Sequence, residues 1–224
     1  MGAIQEIGFL VIAYFIGAIP FGWIIVMLKT GTDIRDVQSG RTGGTNAMRA
    51  AGFLTGLSTA LLDVLKAAST VWIAKGLFPN AYLIHVLAPI FAVIGHNYSI
   101  FLIKRYEDGK IKLGGGAGGG ATLGGAMGLW PWSGLIMFLV GLALWYFVGY
   151  ASVTTMSIGL LAIIIFAVRA YYGLSPWIYV VYGFLAEVLI LWALRPNIKR
   201  LREGTERLHG FRARKKKKEE AQAE

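Results

Sequence analysis

The sequence predicts an all-α integral membrane protein of about seven transmembrane helices, with the N-terminus outside, the C-terminus cytoplasmic and a short, Gly-rich fourth helix. Three observations lead there. The 224 residues are 56% hydrophobic and only 15% charged, with a mean hydropathy of +0.59, a composition whose solvent is lipid. Apolar runs of membrane-spanning length recur along the chain. The net charge of +10 is uneven, because half of the Lys and Arg lie beyond Leu194.

A bilayer core takes roughly 20 apolar residues per helix. Such runs lie at Ile7 to Leu28, Phe53 to Ala74, Tyr82 to Ile103, Pro131 to Val148, Val153 to Val168 and Pro176 to Leu194. The first lacks a basic leader and a small-residue cleavage site ahead of a soluble domain, so it reads as a retained span. Lys29, Arg35, Arg41 and Arg49 make the first loop basic, and Lys104, Arg105, Lys110 and Lys112 do the same for the third, so both face the cytoplasm. Six spans would then strand the basic tail outside. One more crossing is needed after Lys112, and Gly114 to Trp130 supplies it: its small residues suit a helix buried among neighbours. Trp23, Trp72, Trp130, Trp132, Trp177 and Trp192 fall near span ends, as interfacial anchors do. The reading therefore divides the chain into a membrane domain at 1–208 and a basic, disordered cytoplasmic tail at 209–224, where Lys215 to Lys218 can hug anionic lipid.

With no cysteine there is no thiolate nucleophile and no zinc knuckle. His85 and His96, eleven residues apart, stand roughly 16 Å apart on a helix and cannot share a metal, so no metal or cofactor is expected. Nucleic-acid binding is a weak account of the charge and is not expected, because no folded soluble domain presents it. Asp63 and Lys66 lie mid-span three residues apart, where each unpaired charge costs on the order of 2.5–3.5 kcal/mol, so they are expected to pair.

On this topology three polar segments share the cytoplasmic face: Ser39 to Arg49, Lys104 to Gly120, and Arg195 to Glu206. The first, SGRTGGTNAMR, offers backbone N–H groups at Gly40, Gly43 and Gly44, where an anion can come close, and hydroxyls from Ser39, Thr42 and Thr45. Arg49 adds a guanidinium fork that matches phosphate oxygens, and Asn46 can orient a hydroxyl. Taken alone the same loop is a flexible basic connection.

In combination these segments resemble the bacterial acyl-phosphate-dependent glycerol-3-phosphate acyltransferases. Ser39 to Gly52, SGRTGGTNAMRAAG, is similar to a family pattern close to SGNxGATNxxRxxG. Asp63 to Lys66 match a DVLK string, and Gly95 and His96 precede a Gly-rich segment ending in Ala121 and Thr122. Asn197 to Leu201, followed by Gly204, Thr205 and Glu206, match NIxRLxxGTE. The matches run in order over nearly the whole chain. There are departures. The family's second cytoplasmic motif, close to FKGGKGVAT, carries lysines where Gly115 and Gly118 stand here, after an apparent insertion spanning Tyr106 to Leu113. Ser99 replaces a Pro, and Leu194 a His.

The resemblance implies transfer of a fatty acyl group from acyl phosphate to the sn-1 hydroxyl of glycerol 3-phosphate, giving lysophosphatidate and inorganic phosphate for phospholipid synthesis. It implies no cofactor, a multi-pass place in the cell membrane with a cytoplasmic active site, and other phospholipid-synthesis enzymes as possible partners. Carried onto this chain, Ser39, Asn46, Arg49, His96 and Asn197 are the candidate catalytic residues. Gly40, Gly43, Gly44, Thr45, Lys104, Lys112, Gly115, Gly116, Gly118, Gly119, Ser152 and Glu206 are the candidate substrate contacts. A His with an Asp five residues on, used by other glycerolipid acyltransferases, is absent: Ile90, Phe101 and Arg214 follow the three histidines at that spacing. Two other readings stay open: a small-anion transporter, and a non-catalytic relative that binds lipid or phosphate.

Overall fold

The computed structural model describes residues 2–105, 109 and 111–213. The first apolar run becomes two helices, α1 (Ala3–Ala18) and α2 (Phe21–Thr30), and not one continuous span. The cause is Pro20, which has no N–H to donate and whose ring clashes with the preceding turn. The break takes the Ile19 carbonyl out of the helical ladder, where it accepts from the Phe21 backbone N–H at 3.1 Å and from Lys66 Nζ at 2.8 Å. After α2 the chain forms one 3-10 turn, Ile34–Asp36, whose cap Asp33 accepts from the Arg35 backbone at 2.8 Å and from its guanidinium at 2.6 Å. That fork holds the Asp33 carboxyl at about 2, well below the usual carboxylate range.

Then come α3 (Gly44–Ala51), α4 (Phe53–Leu77) and α5 (Tyr82–Asn97). The third apolar run was expected to stay helical to Ile103. It stops at Asn97, and Ser99–Arg105 forms strand β1, paired antiparallel with β2 (Ile111–Gly114) so that Lys104 faces Lys112 and Ser99 faces Gly114. The fold is therefore mostly helical rather than all-α. The turn-out has a local cause: Ser99 Oγ donates to the Ala18 carbonyl at the end of α1 at 2.6 Å and accepts from the Phe101 backbone at 3.2 Å. The β-branched and aromatic residues of Ser99–Ile103 suit a strand once the helix has ended. Of the apparent insertion, Ile111 to Leu113 belong to β2, and Lys110 lies outside the described residues.

The Gly-rich stretch is α6 (Gly119–Leu129), followed by α7 (Pro131–Phe147), α8 (Ala151–Tyr171), α9 (Ile178–Ala193) and α10 (Arg195–Arg202). Helix α4 is central and packs on α6, α3 and α5, while α1 lies along α5 and α8 along α9. Small residues make the α4–α6 contact possible. A Cβ at Gly124 would run into the Val64 carbonyl, and one at Gly128 would reach the Val71 side chain at 2.6 Å. One core gathers Val71, Val86, Ile90, Ala126, Met137, Phe166 and Tyr182 from six helices. Outward, Ile7, Leu61, Leu139, Leu160 and Phe184 are exposed, an apolar jacket suited to lipid.

Among the described residues, three helices are long and apolar enough to cross a membrane: Ala3–Thr30 taken through its break, Phe53–Leu77 and Ala151–Tyr171. Ile178–Ala193 with Arg195–Arg202, bent by 66°, would make a fourth, and Tyr82–Asn97 and Pro131–Phe147 are apolar but shorter. The start of the expected tail folds back on the bundle. His209 N donates to the Gly149 carbonyl at 2.7 Å at the α7–α8 turn, and the Arg212 guanidinium sits 5.7 Å from the Tyr150 ring. Lys215 to Lys218 lie outside the described residues.

Candidate functional site

The first polar loop is tied down from within. Asn46, 2% exposed, shares its amide hydrogens among the carbonyls of Ile34, Val37 and Arg41 at 3.2, 2.9 and 2.9 Å. Its nitrogen is thus spent on shaping the loop, and Oδ1 has no partner among the described residues. Gly40 takes φ +67, a backbone that favours glycine, with Ser39 exposed beside it. Gly43 precedes α3 with open space around its Cα, and Thr45 lies half-buried in the first turn. Gly44 is different: a Cβ there would meet the Gly56 carbonyl at 2.7 Å and Ala60 at 2.9 Å, so it packs α3 on α4.

The Gly-rich loop is bonded to this one, Thr42 N donating to the Gly115 carbonyl at 3.2 Å and Gly116 N to the His96 carbonyl at 2.9 Å. Side chains at Gly115 and Gly116 are ruled out by the Asn97 and His96 carbonyls and by the His96 ring. Gly118 caps α6 at φ +93, facing the buried Asn97 side chain, and Gly119 lies against Thr155 of α8, one turn beyond Ser152. Below the loop, His96 Nδ1 stands 3.4 Å from Asp63 Oδ1, which also pairs with Lys66 at 2.8 Å. All three side chains are buried. Nδ1 thus faces the Asp63 carboxylate, and Nε2 is turned toward Gly116.

The third segment converges on one carboxylate. Glu206, 7% exposed, accepts at Oε1 from Asn197 Nδ2 at 2.8 Å and Ser152 Oγ at 3.2 Å, and at Oε2 from Arg200 Nε at 3.0 Å. Arg49 lies in its field and bonds the His209 ring at 2.5 Å. Arg41 lies in it too, donating to the Ala193 carbonyl at 2.5 Å. Burial lowers the pKa of both arginines, and for Arg41 the Arg200 charge adds to this. Burial, reinforced by Arg49, likewise pushes His209 below its ordinary value, so the ring is neutral and can accept. Arg41, Arg49 and Arg200 thus share the Glu206 carboxylate, and Arg207 adds like charge beside Arg49, an excess of positive charge that suits phosphate.

A family model described as glycerol-3-phosphate acyltransferase matches residues 7–204. The chain belongs to the glycerol-3-phosphate acyltransferase family. Glycerol-3-phosphate acyltransferase of Thermus thermophilus is 37% identical over 204 residues, covering 91% of this chain and 95% of that protein. That of Thermosipho melanesiensis is 40% identical over 197 residues, 88% of each. The crystal structure of PlsY (YgiH), an integral membrane glycerol 3-phosphate acyltransferase in its glycerol 3-phosphate form, is 29% identical with a TM-score of 0.77, covering 92% of this chain and 96% of that one. Its lysophosphatidic acid form aligns equally well. With its jacket of apolar helices, this member of the family is a membrane protein.

Within this acyltransferase-family chain, Arg49, Ser152, Asn197 and Glu206 meet at one cluster, and His96 with Gly115, Gly116, Gly118 and Gly119 at the adjoining loop. Lys104 and Lys112 instead sit opposite each other on the hairpin, Lys104 Nζ 3.7 Å from Asp36. Sequence reasoning missed Arg41, Arg200 and His209 as members of the cluster and Asp63 as the partner of His96. Arg200 was within a matched motif, so the signal was present. For His209, assigned to a disordered tail, there was none.

Proposed function

We propose that this chain is a membrane acyltransferase that moves a fatty acyl group from acyl phosphate to the sn-1 hydroxyl of glycerol 3-phosphate, releasing lysophosphatidate and inorganic phosphate for phospholipid synthesis. The observation that carries it is the gathering of Arg49, Arg200, Asn197 and Ser152 around Glu206 from three segments, beside the Gly-rich loop. Both substrates are phosphate anions, and holding two of them together is most of the work, since acyl phosphate already carries a good leaving group. The hydroxyl oxygen forms the new ester bond to the acyl carbon, the bond from that carbon to the phosphate oxygen breaks, and its electron pair departs with inorganic phosphate. The hydroxyl proton passes to His96 Nε2, with Asp63 as the positioning residue. Backbone N–H groups of the Gly-rich loop receive the oxyanion, a contribution typically worth roughly 3 kcal/mol per donor.

Ser39, Gly40, Gly43 and Thr45 form one phosphate cradle with Arg49, in a loop shaped by Asn46 and seated on α4 by Gly44, while Gly115, Gly116, Gly118 and Gly119 line the other. Lys104 and Lys112 steer anions toward it from the hairpin. Seven crossings, with α6 as the short fourth, a cytoplasmic tail and the site on the cytoplasmic face of the cell membrane, complete the reading. Association with other phospholipid-synthesis enzymes belongs to it as well.

The test is phosphate release by detergent-solubilised protein given palmitoyl phosphate with and without glycerol 3-phosphate, lysophosphatidate being followed in parallel. Equal amounts of both products, dependent on both substrates, are expected. Phosphate release without lysophosphatidate, or neither product from folded protein, would sink the reading. Arg49→Lys should lower kcat/KM at least about tenfold in folded protein, since a point charge cannot replace the fork.

A further inference from the structure

The loop that resembles a lysine-bearing motif has no room for lysine. Gly115 is closed by the Asn97 backbone, and Gly118 holds φ +93 against the Asn97 side chain, so neither position accepts a side chain without a rearranged backbone. The cation attached to this loop is Arg41. Its carbonyl is fixed by Asn46 at 2.9 Å, and the next residue, Thr42, is bonded to Gly115 at 3.2 Å. From that anchored backbone the side chain spans to the end of α9, where Nη2 donates to the Ala193 carbonyl. A guanidinium has five N–H donors. Among the described residues the others of Arg41 have no acceptor, while Arg200 crowds it with like charge and Glu206 is shared.

We propose that Arg41 binds a substrate phosphate and is the cation that serves the Gly-rich loop in place of the lysines absent from it. This rests on the acyltransferase reading. The fork is set by its contact with Ala193, so its free edge is held ready and little side-chain freedom is lost when phosphate arrives. An incoming dianion also relieves the repulsion between Arg41 and Arg200.

The competing account is that Arg41 only caps α9. Purified Arg41→Gln and Arg41→Lys variants separate the two through KM for glycerol 3-phosphate, KM for palmitoyl phosphate, kcat, and the rise in Tm produced by inorganic phosphate. The expected result is a KM for one substrate raised about ten- to a hundredfold in Arg41→Gln, the size of a lost charge-assisted bond, with the phosphate-induced Tm rise reduced and Arg41→Lys intermediate. The substrate whose KM moves is the one Arg41 holds. Unchanged KM values and an unchanged phosphate-induced rise, with only the basal Tm lowered, would overturn the proposal. Should Arg41→Gln not fold, Arg41→Lys alone decides by the same readouts. If wild-type protein makes no lysophosphatidate, the acyltransferase reading fails separately. Arg41 then stands only if wild-type protein shows the phosphate-induced rise and the variant loses it.

Discussion

At the residue scale, the buried Asp63 carries two partners whose demands differ. Lys66 needs its charge, because the ammonium is buried and already committed to the carbonyl freed at Pro20. His96 needs its geometry. Asp63→Asn should therefore act twice, destabilising the protein by about 3–5 kcal/mol through the unpaired ammonium and lowering kcat by releasing the His96 ring. Combining it with Lys66→Met should recover much of the stability and none of the kcat, as read by unfolding in detergent and by turnover. Recovery of both would show that His96 does not depend on Asp63. The sequence revealed that Asp63 and Lys66 would pair, because i and i+3 share a helix face. It could not reveal the third member, which arrives from α5 only when α4 and α5 pack. Asn46 is the reverse case: its motif pointed to catalysis, whereas its amide is mostly occupied in knotting the loop that presents Arg41.

At the element scale, α6 depends on its small residues. Gly124→Val would set a branched side chain against the Val64 carbonyl, which is backbone and cannot swing aside. A loss of about 1–3 kcal/mol or more is expected in thermal unfolding, with α6 and its Gly-rich entrance displaced and activity falling in parallel. The segment at 209–213 adds a pH signature. His209 is held below its ordinary pKa, so the unfolded chain takes up more protons than the folded one between the folded value and about 6.5. The stability linked to it is present above about 6.5 and is lost as pH falls through the folded value. The Tm advantage of wild type over His209→Ala should shrink between about pH 7.5 and 5. A constant gap would disconnect His209 from the titration. Apolar elements were legible because lipid-facing helices announce themselves by composition. The hairpin was not, since Ser99–Ile103 is as apolar as a helix end and its exit is decided by a bond to α1, 81 residues away.

At the scale of the whole molecule, the topology read from charge awaits a direct experiment, and the absence of cysteine makes one clean. Single cysteines replacing the exposed Gln38, Glu203 and Asn80 can be probed with an impermeant thiol reagent in sealed vesicles. Gln38→Cys and Glu203→Cys should label from the same side and Asn80→Cys from the other. Labelling of all three from one side would discard the proposed crossings. The convergence of the three polar segments was anticipated from this topology, but not the density of arginine around Glu206, which depends on contacts between residues far apart in sequence.

The bond between Arg49 and His209 joins residues 160 positions apart. Ribosomes deliver Arg49 early and His209 late, with the seven helices α4 to α10 made in between. The cluster around Glu206 is therefore completed last, after α4 to α10 have been made. A chain stalled part-way through synthesis would hold this cluster unfinished while its release is still pending.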